Sequence, residues 1–306
     1  MKRRNTTLQV SLVLLCVSIL IGCEGGMSKL AKVADSISIG GGPVKREHFD
    51  SAKKVVKAGV AAKRTILPEE EYYISRAVGA TVVSAYKPYD NEKATRYINV
   101  LGQTLAAASD KPYTFGGYRF LILDTDEVNA FAAPTGHIFV SRGMLRCCKS
   151  EDAVAAVLAH EIGHVQLQHG MQTIKKSRLT SFFTIAGTEA IKTWGGKDLA
   201  EATKIFEGTI DDVTQTLVTK GYSRASEGQA DAAAVEIMKR VGYDPNALID
   251  MLTIMKGHLK RGIGFAKTHP SPDVRIKGVK AAIGACPVSP TVAARQKRFE
   301  GVLEGI

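Results

Sequence analysis

Apolar positions in this chain follow two periods, and the helical one dominates. Over long stretches they recur every three or four residues, the spacing of one helix face, while two short runs are apolar enough for strands. Pro68 with three glutamates after it predicts a helix start, and a second helix is expected from about Asn91 to Ala108. Tyr118 to Leu123 reads as a strand. Pro134-Thr135-Gly136 reads as a turn into a second short strand, His137 to Val140. Ala153 to Leu158 is an unbroken apolar run, as in a helix buried on most sides. Ser150 supplies its N-cap, Glu151 and Asp152 place negative charge in its first turn, and Gly170 is a natural stop. Helices dominate from Met171 onward, interrupted at Gly195-Gly196, with an alanine-rich one over 222–241 and another beginning at Pro245-Asn246-Ala247. The pattern predicts an α+β fold, mainly α with a small β-sheet.

The two ends depart from this pattern. Lys2, Arg3 and Arg4 precede a largely apolar stretch, Leu8 to Ile21, that is shorter than the roughly 20 residues a spanning helix needs, so 1–22 reads as an export signal. Leu20-Ile21-Gly22-Cys23 resembles a bacterial lipobox, which implies cleavage before Cys23 and a lipid anchor on it. Glu24 after that cysteine implies, by analogy with enterobacterial lipoproteins, an outer-membrane protein facing the periplasm. Residues 23–66, rich in Gly, Ser and Lys and broken at Gly40-Gly41-Gly42-Pro43, read as a tether with a short helix around Phe49–Ala62. Residues 67–290 then form the working domain and 291–306 a C-terminal tail.

Charge and cysteines narrow the partners. The formal net charge is +11, with basic clusters at Lys45–Arg64, Lys175–Arg178 and Arg295–Arg298. In an exported chain these read as contacts with anionic lipid or as solvated faces. No recognition motif accompanies the charge, so nucleic acid is not an expected partner. Cys147 and Cys148 are too close to bridge one another without strain. Either one of them bonds Cys286, or the thiols are buried and free.

The chemistry is concentrated in His160-Glu161-Ile162-Gly163-His164. On a helix, residues four apart share a face, so His160 and His164 can grip one zinc ion while Glu161 reaches a water on it as general base. The longer zincin motif would need glycine at 167 and histidine at 170, where the chain has Leu167 and Gly170. His169, nine residues past His160, falls about 180° around a continuing helix and faces away. A third ligand must come from elsewhere. Glu207 with Asp211 and Glu227 with Asp231 both offer a ligand and a supporting carboxylate four residues apart, and spacing does not choose between them.

Three further segments carry a resemblance. Tyr222-Ser223-Arg224-Ala225-Ser226-Glu227-Gly228-Gln229-Ala230-Asp231 looks like the second signature of the HtpX/Oma-type zinc metallopeptidases, a gluzincin family that includes periplasmic proteases. Asn129 to Val140 resembles the strand before their active-site helix, and Thr268 to Arg275 their C-terminal His-Pro segment. The resemblance implies one zinc per chain, held by His160, His164 and Glu227, with Asp231 orienting a ligating imidazole. It also implies an edge strand at the cleft, with Gly136, His137 and Ile138 holding extended polypeptide. For an oxyanion donor it offers His269, Arg275 and Tyr222, in that order, and His269 could instead fill the open zinc position in a latent state. The expected function is a membrane-tethered zinc endopeptidase acting on periplasmic or outer-membrane proteins in envelope quality control. The alternative is an envelope chaperone or assembly factor with a latent or vestigial site.

Overall fold

Two helices lead into three consecutive short strands, and among the described residues helices alone follow them. The computed structural model describes residues 66–175, 221–259, 269, 272–284 and 292–306. Its elements are α1 (Pro68–Ala85), α2 (Glu92–Ala107), β1 (Arg119–Leu123), β2 (Ala130–Ala132), β3 (His137–Ser141), α3 (Arg142–Cys147) and α4 (Glu151–Gln166). They continue as α5 (Arg224–Arg240), α6 (Asn246–Leu259), α7 (Pro272–Ile283) and α8 (Val292–Leu303). Side-chain oxygens start four of the described helices by accepting from otherwise unpaired amides, Ser141 from Met144 in α3 among them. Asn91 accepts from the Ala94 N–H, Ser150 from Ala153 and Ser223 from Ser226.

The sheet runs β1-β3-β2, with β1 parallel and β2 antiparallel to β3. The β2–β3 turn closes at Gly136, whose φ of +99° suits glycine and whose N–H donates to Ala133 O at 3.1 Å. The strand expected at the edge, His137 to Val140, therefore lies in the middle: Phe139 faces Leu121 on one side and Phe131 on the other. The outer side of β1 is closed as well. Asn99 bonds both the N–H and the C=O of Phe120, and the Tyr89 N–H donates to Ile122 O. Among the described residues the open edge belongs to β2.

Alternation along the strands splits the core in two. Ile122, Ala130, Ile138 and Val140 pack with residues of α2 and α4, while Phe131 and Phe139, stacked at 5.2 Å, pack with Val78 and Val82 of α1. Helix α4 runs through the larger cluster, with Val154 to Leu158 fully buried. Helix α5 lies close against it at Gly163, where a β-carbon would meet Ala230 O at 2.8 Å and the Ala230 α-carbon at 3.1 Å. Glycine is what lets the two backbones approach.

Two expectations fail here. Gly170 does not end the motif helix; α4 stops at Gln166, Gln168 takes a left-handed φ of 56°, and a new helical turn runs over 169–175. The stretch 291–306 is no free tail, since Phe299 and Leu303 of α8 belong to the main core. Arg295 and Arg298, read as lipid-facing or solvated, instead pair with Asp152 at 3.0 Å and Glu151 at 2.6 Å. Residues 1–65 with Cys23, the helix around 49–62, Gly195-Gly196, Glu207, Asp211 and Cys286 lie outside the described residues. Cys148 is a buried thiol whose pKa burial pushes up to about 12.

Candidate metal centre

The close approach at Gly163 carries Glu227 and Asp231, one turn apart on α5, against the histidines of α4. His160 Nε2 and His164 Nε2 are 3.2 Å apart. Glu227 reaches both, with Oε2 at 3.5 Å from the first and Oε1 at 3.4 Å from the second. Four donors about 2.05 Å from a tetrahedral zinc would be separated by about 3.3 Å, so these spacings fit that ion. His269 adds a fourth donor: its Nδ1 is 3.3 Å from His160 Nε2 and 3.0 Å from Glu227 Oε2. The four residues form a buried group whose donor atoms all lie within 4.8 Å of one another.

The surroundings hold those donors in place. Asp231 Oδ1 is 3.0 Å from His160 Nδ1, leaving Nε2 for a metal. Arg275 grips Asp231 with two hydrogen bonds of 2.7 Å and Glu227 with a third contact of 2.9 Å. Its guanidinium thus ties α7 to α5 through two carboxylates, with Nη2 also 3.3 Å from His160 Nδ1. On the other side of the cluster, Tyr222 stacks on His164 at 4.2 Å.

The electrostatics separate the two histidines. Burial and Arg275 oppose charge on His160, but its bonds to Asp231 and Glu227 outweigh them and raise its pKa to about 9. Burial pushes His164 down to about 3. Burial works against ionised Glu227 and Asp231 too, yet the histidines hold Glu227 well below the carboxylate range, and Arg275 with His160 holds Asp231 at about 2. Glu161 differs. It is fully buried, neither carboxylate oxygen has a hydrogen-bond partner among the described residues, and burial raises its pKa. A base with a raised pKa and open lone pairs is suited to take a proton from water.

Other expected residues sit elsewhere. The His137 ring turns toward α1, with Nδ1 3.1 Å from Ser75 Oγ, and burial lowers its pKa. Gly136 closes the hairpin turn, and Ile138 is buried in the core. The β2 edge comes closer to the donors, since Ala130 O lies 3.4 Å from His269 Nε2. His169 does not face away. The break at 167–168 turns it back, 2.9 Å from His164 Nδ1, with its own Nε2 3.1 Å from Gln229 Oε1. A nine-residue rotation on an unbroken helix could not reveal this. Gln229 gave no signal beyond its place in the second motif.

Residues 92–283 match the model for peptidase family M48, and the chain belongs to that family. Its members use zinc, and the buried donor set suits that ion. The chain is 25% identical to a beta-barrel assembly-enhancing protease of Yersinia pestis over 79% of its length and 49% of the relative's. It is 25% identical to the protein of the same name from Escherichia coli (strain K12), over 77% of its length and 48% of the relative's. It is also 31% identical to the mitochondrial metalloendopeptidase OMA1 of Schizosaccharomyces pombe, over 50% of this chain and 42% of the relative's. The chain spans about half the length of the curated relatives it matches.

Proposed function

We propose that this protein is a zinc-dependent endopeptidase of the bacterial cell envelope. In this reading it is anchored through lipid on Cys23 at the outer membrane and cuts periplasmic or outer-membrane proteins in quality control. The observation that carries the reading is the buried set of His160, His164 and Glu227 at tetrahedral spacing beside Glu161. The Glu161 oxygens accept no hydrogen bond among the described residues, and Oε1 lies 3.7 Å from His269 Nε2. The names of the bacterial relatives, beta-barrel assembly-enhancing protease, support an envelope setting.

Zinc held by His160, His164 and Glu227 would supply Lewis acidity toward a carbonyl and toward water. Glu161 takes the proton of the attacking water and delivers it to the leaving amine. Tyr222 keeps its hydroxyl proton, because burial and then Glu161 and Glu227 raise its pKa, and so can donate to a developing oxyanion. Register along β2 turns the N–H and C=O of Ala130 and Ala132 away from β3, an edge that suits an extended peptide. The peptide contact expected of Gly136, His137 and Ile138 thus falls to the neighbouring strand.

His269 favours a second feature, a latent resting state. It stands at the fourth donor position and against the β2 edge at once, where a substrate carbonyl and backbone would have to lie. Zinc per chain and casein cleavage, measured for wild type, Glu161→Gln and His269→Ala, test both readings. Bound zinc, cleavage abolished by Glu161→Gln and faster cleavage by His269→Ala are expected. Bound zinc with cleavage unaffected by Glu161→Gln overturns the peptidase mechanism. No cleavage of any unfolded substrate by any variant favours the chaperone alternative.

A further inference from the structure

A metal-binding imidazole has to present a lone pair on one nitrogen, and its other nitrogen then carries the proton and needs an acceptor. For His160 the acceptor is Asp231, 3.0 Å from Nδ1. For His164 the group facing Nδ1 is another imidazole nitrogen, His169 Nδ1 at 2.9 Å. Two nitrogens at that distance share one proton, and its owner is decided at the far end of the chain of bonds. His169 Nε2 faces Gln229 Oε1, which accepts only. The Nε2 of His169 therefore carries its proton, its Nδ1 accepts, and the His164 Nδ1–H donates. That leaves the His164 Nε2 lone pair aimed at Glu227 and His160.

Were Gln229 turned to present its amide NH2, every proton along the line would shift the other way. His164 would then carry its proton on Nε2, inside the donor cluster, where it would block the metal. We propose that His169 and Gln229 form an uncharged relay that fixes the tautomer and orientation of His164 for metal binding. The relay rests on the zinc reading above. Tyr222 helps to hold it flat, stacking on His164 at 4.2 Å and lying 5.8 Å from His169. The break in α4 after Gln166 is what makes the relay possible, because a continuing helix would point His169 elsewhere.

The test measures zinc dissociation constants by chelator competition on the full chain, with thermal melting of the zinc-free forms as a control for folding. His169→Ala is expected to weaken zinc binding by about 10- to 100-fold, the usual cost of losing an outer partner of a metal ligand. Gln229 is exposed, so its variants should fold regardless of how His169→Ala behaves. Gln229→Leu should weaken zinc binding, whereas Gln229→Glu should tighten it, since an anionic acceptor makes both rings better electron donors. That opposite pair is a result no merely structural role would give. Equal zinc affinity in wild type and both Gln229 variants overturns the relay while leaving the zinc site standing. Failure of the wild type to bind zinc overturns both.

Discussion

The two ends of helix α4 each bury a polar cluster, and they are built on opposite terms. At the N-terminal end Glu151 accepts from Tyr97 at 3.0 Å, from Tyr243 at 2.8 Å and from Arg298 at 2.6 Å, while Asp152 pairs with Arg295. Every acid there has its partners, and Arg295 also lies 4.2 Å over the Tyr243 ring. At the other end three histidines and Glu227 crowd together with donor atoms within 4.8 Å of one another, and Glu161 has no hydrogen bond among the described residues. A buried polar group usually finds a partner, so the closed cluster reads as structure and the open one as a site built for chemistry.

Substitutions can break that contrast, and the largest effect should come from the open end. Glu161→Gln should lower the rate of peptide cleavage by about 100- to 10,000-fold with zinc retained, read by initial rates and metal analysis. If cleavage persists, Glu161 is not the base. At the closed end, Glu151→Ala should cost about 3 kcal/mol by leaving Tyr97, Tyr243 and Arg298 without their shared acceptor. The melting temperature should fall by several degrees while zinc affinity stays put, and a large loss of zinc would erase the distinction between the ends.

Smaller effects sharpen the comparison. Asp231→Asn should weaken zinc binding by about 10- to 100-fold, because His160 loses its anionic acceptor. The pH dependence follows from His160. Its zinc-free pKa stands raised from 6.5 to about 9, so between those values a proton occupies the nitrogen that zinc needs. Zinc affinity should therefore rise by about tenfold per pH unit across that window. The stability that protonated His160 lends the zinc-free protein is fully present below 6.5 and is lost as pH rises through about 9. Calorimetric titration at pH 7 and pH 8 checks the first part, and a flat response would place the displaced proton elsewhere.

What the sequence revealed, and what it hid, divides along the same line between local and distant causes. Ser150, Ser223 and Asn91 act on amides three residues away, so the starts of α4, α5 and α2 were legible. The histidines of the motif were legible because one helix carries both. Choosing Glu227 over Glu207 needed a resemblance, since helix spacing is the same for each. The place of β3 in the middle of the sheet was hidden because its partner β2 is only Ala-Phe-Ala, too short to show alternation. Helix α8 reads as a tail in the sequence, where its four consecutive polar residues, Arg295 to Arg298, hide its apolar face. Its burial rests on Phe299 and Leu303, spaced one turn apart, and on arginines that meet acids more than 140 residues earlier.

The glycine inside the metal motif has a consequence beyond packing. Gly163 sets how far α5 stands from α4, and hence how far Glu227 stands from the two imidazoles. The missing methyl group works as a gauge for ionic radius. Gly163→Ala would push α5 off α4 by the fraction of an ångström needed to relieve a 2.8 Å contact, drawing Glu227 away from the imidazoles and weakening zinc binding.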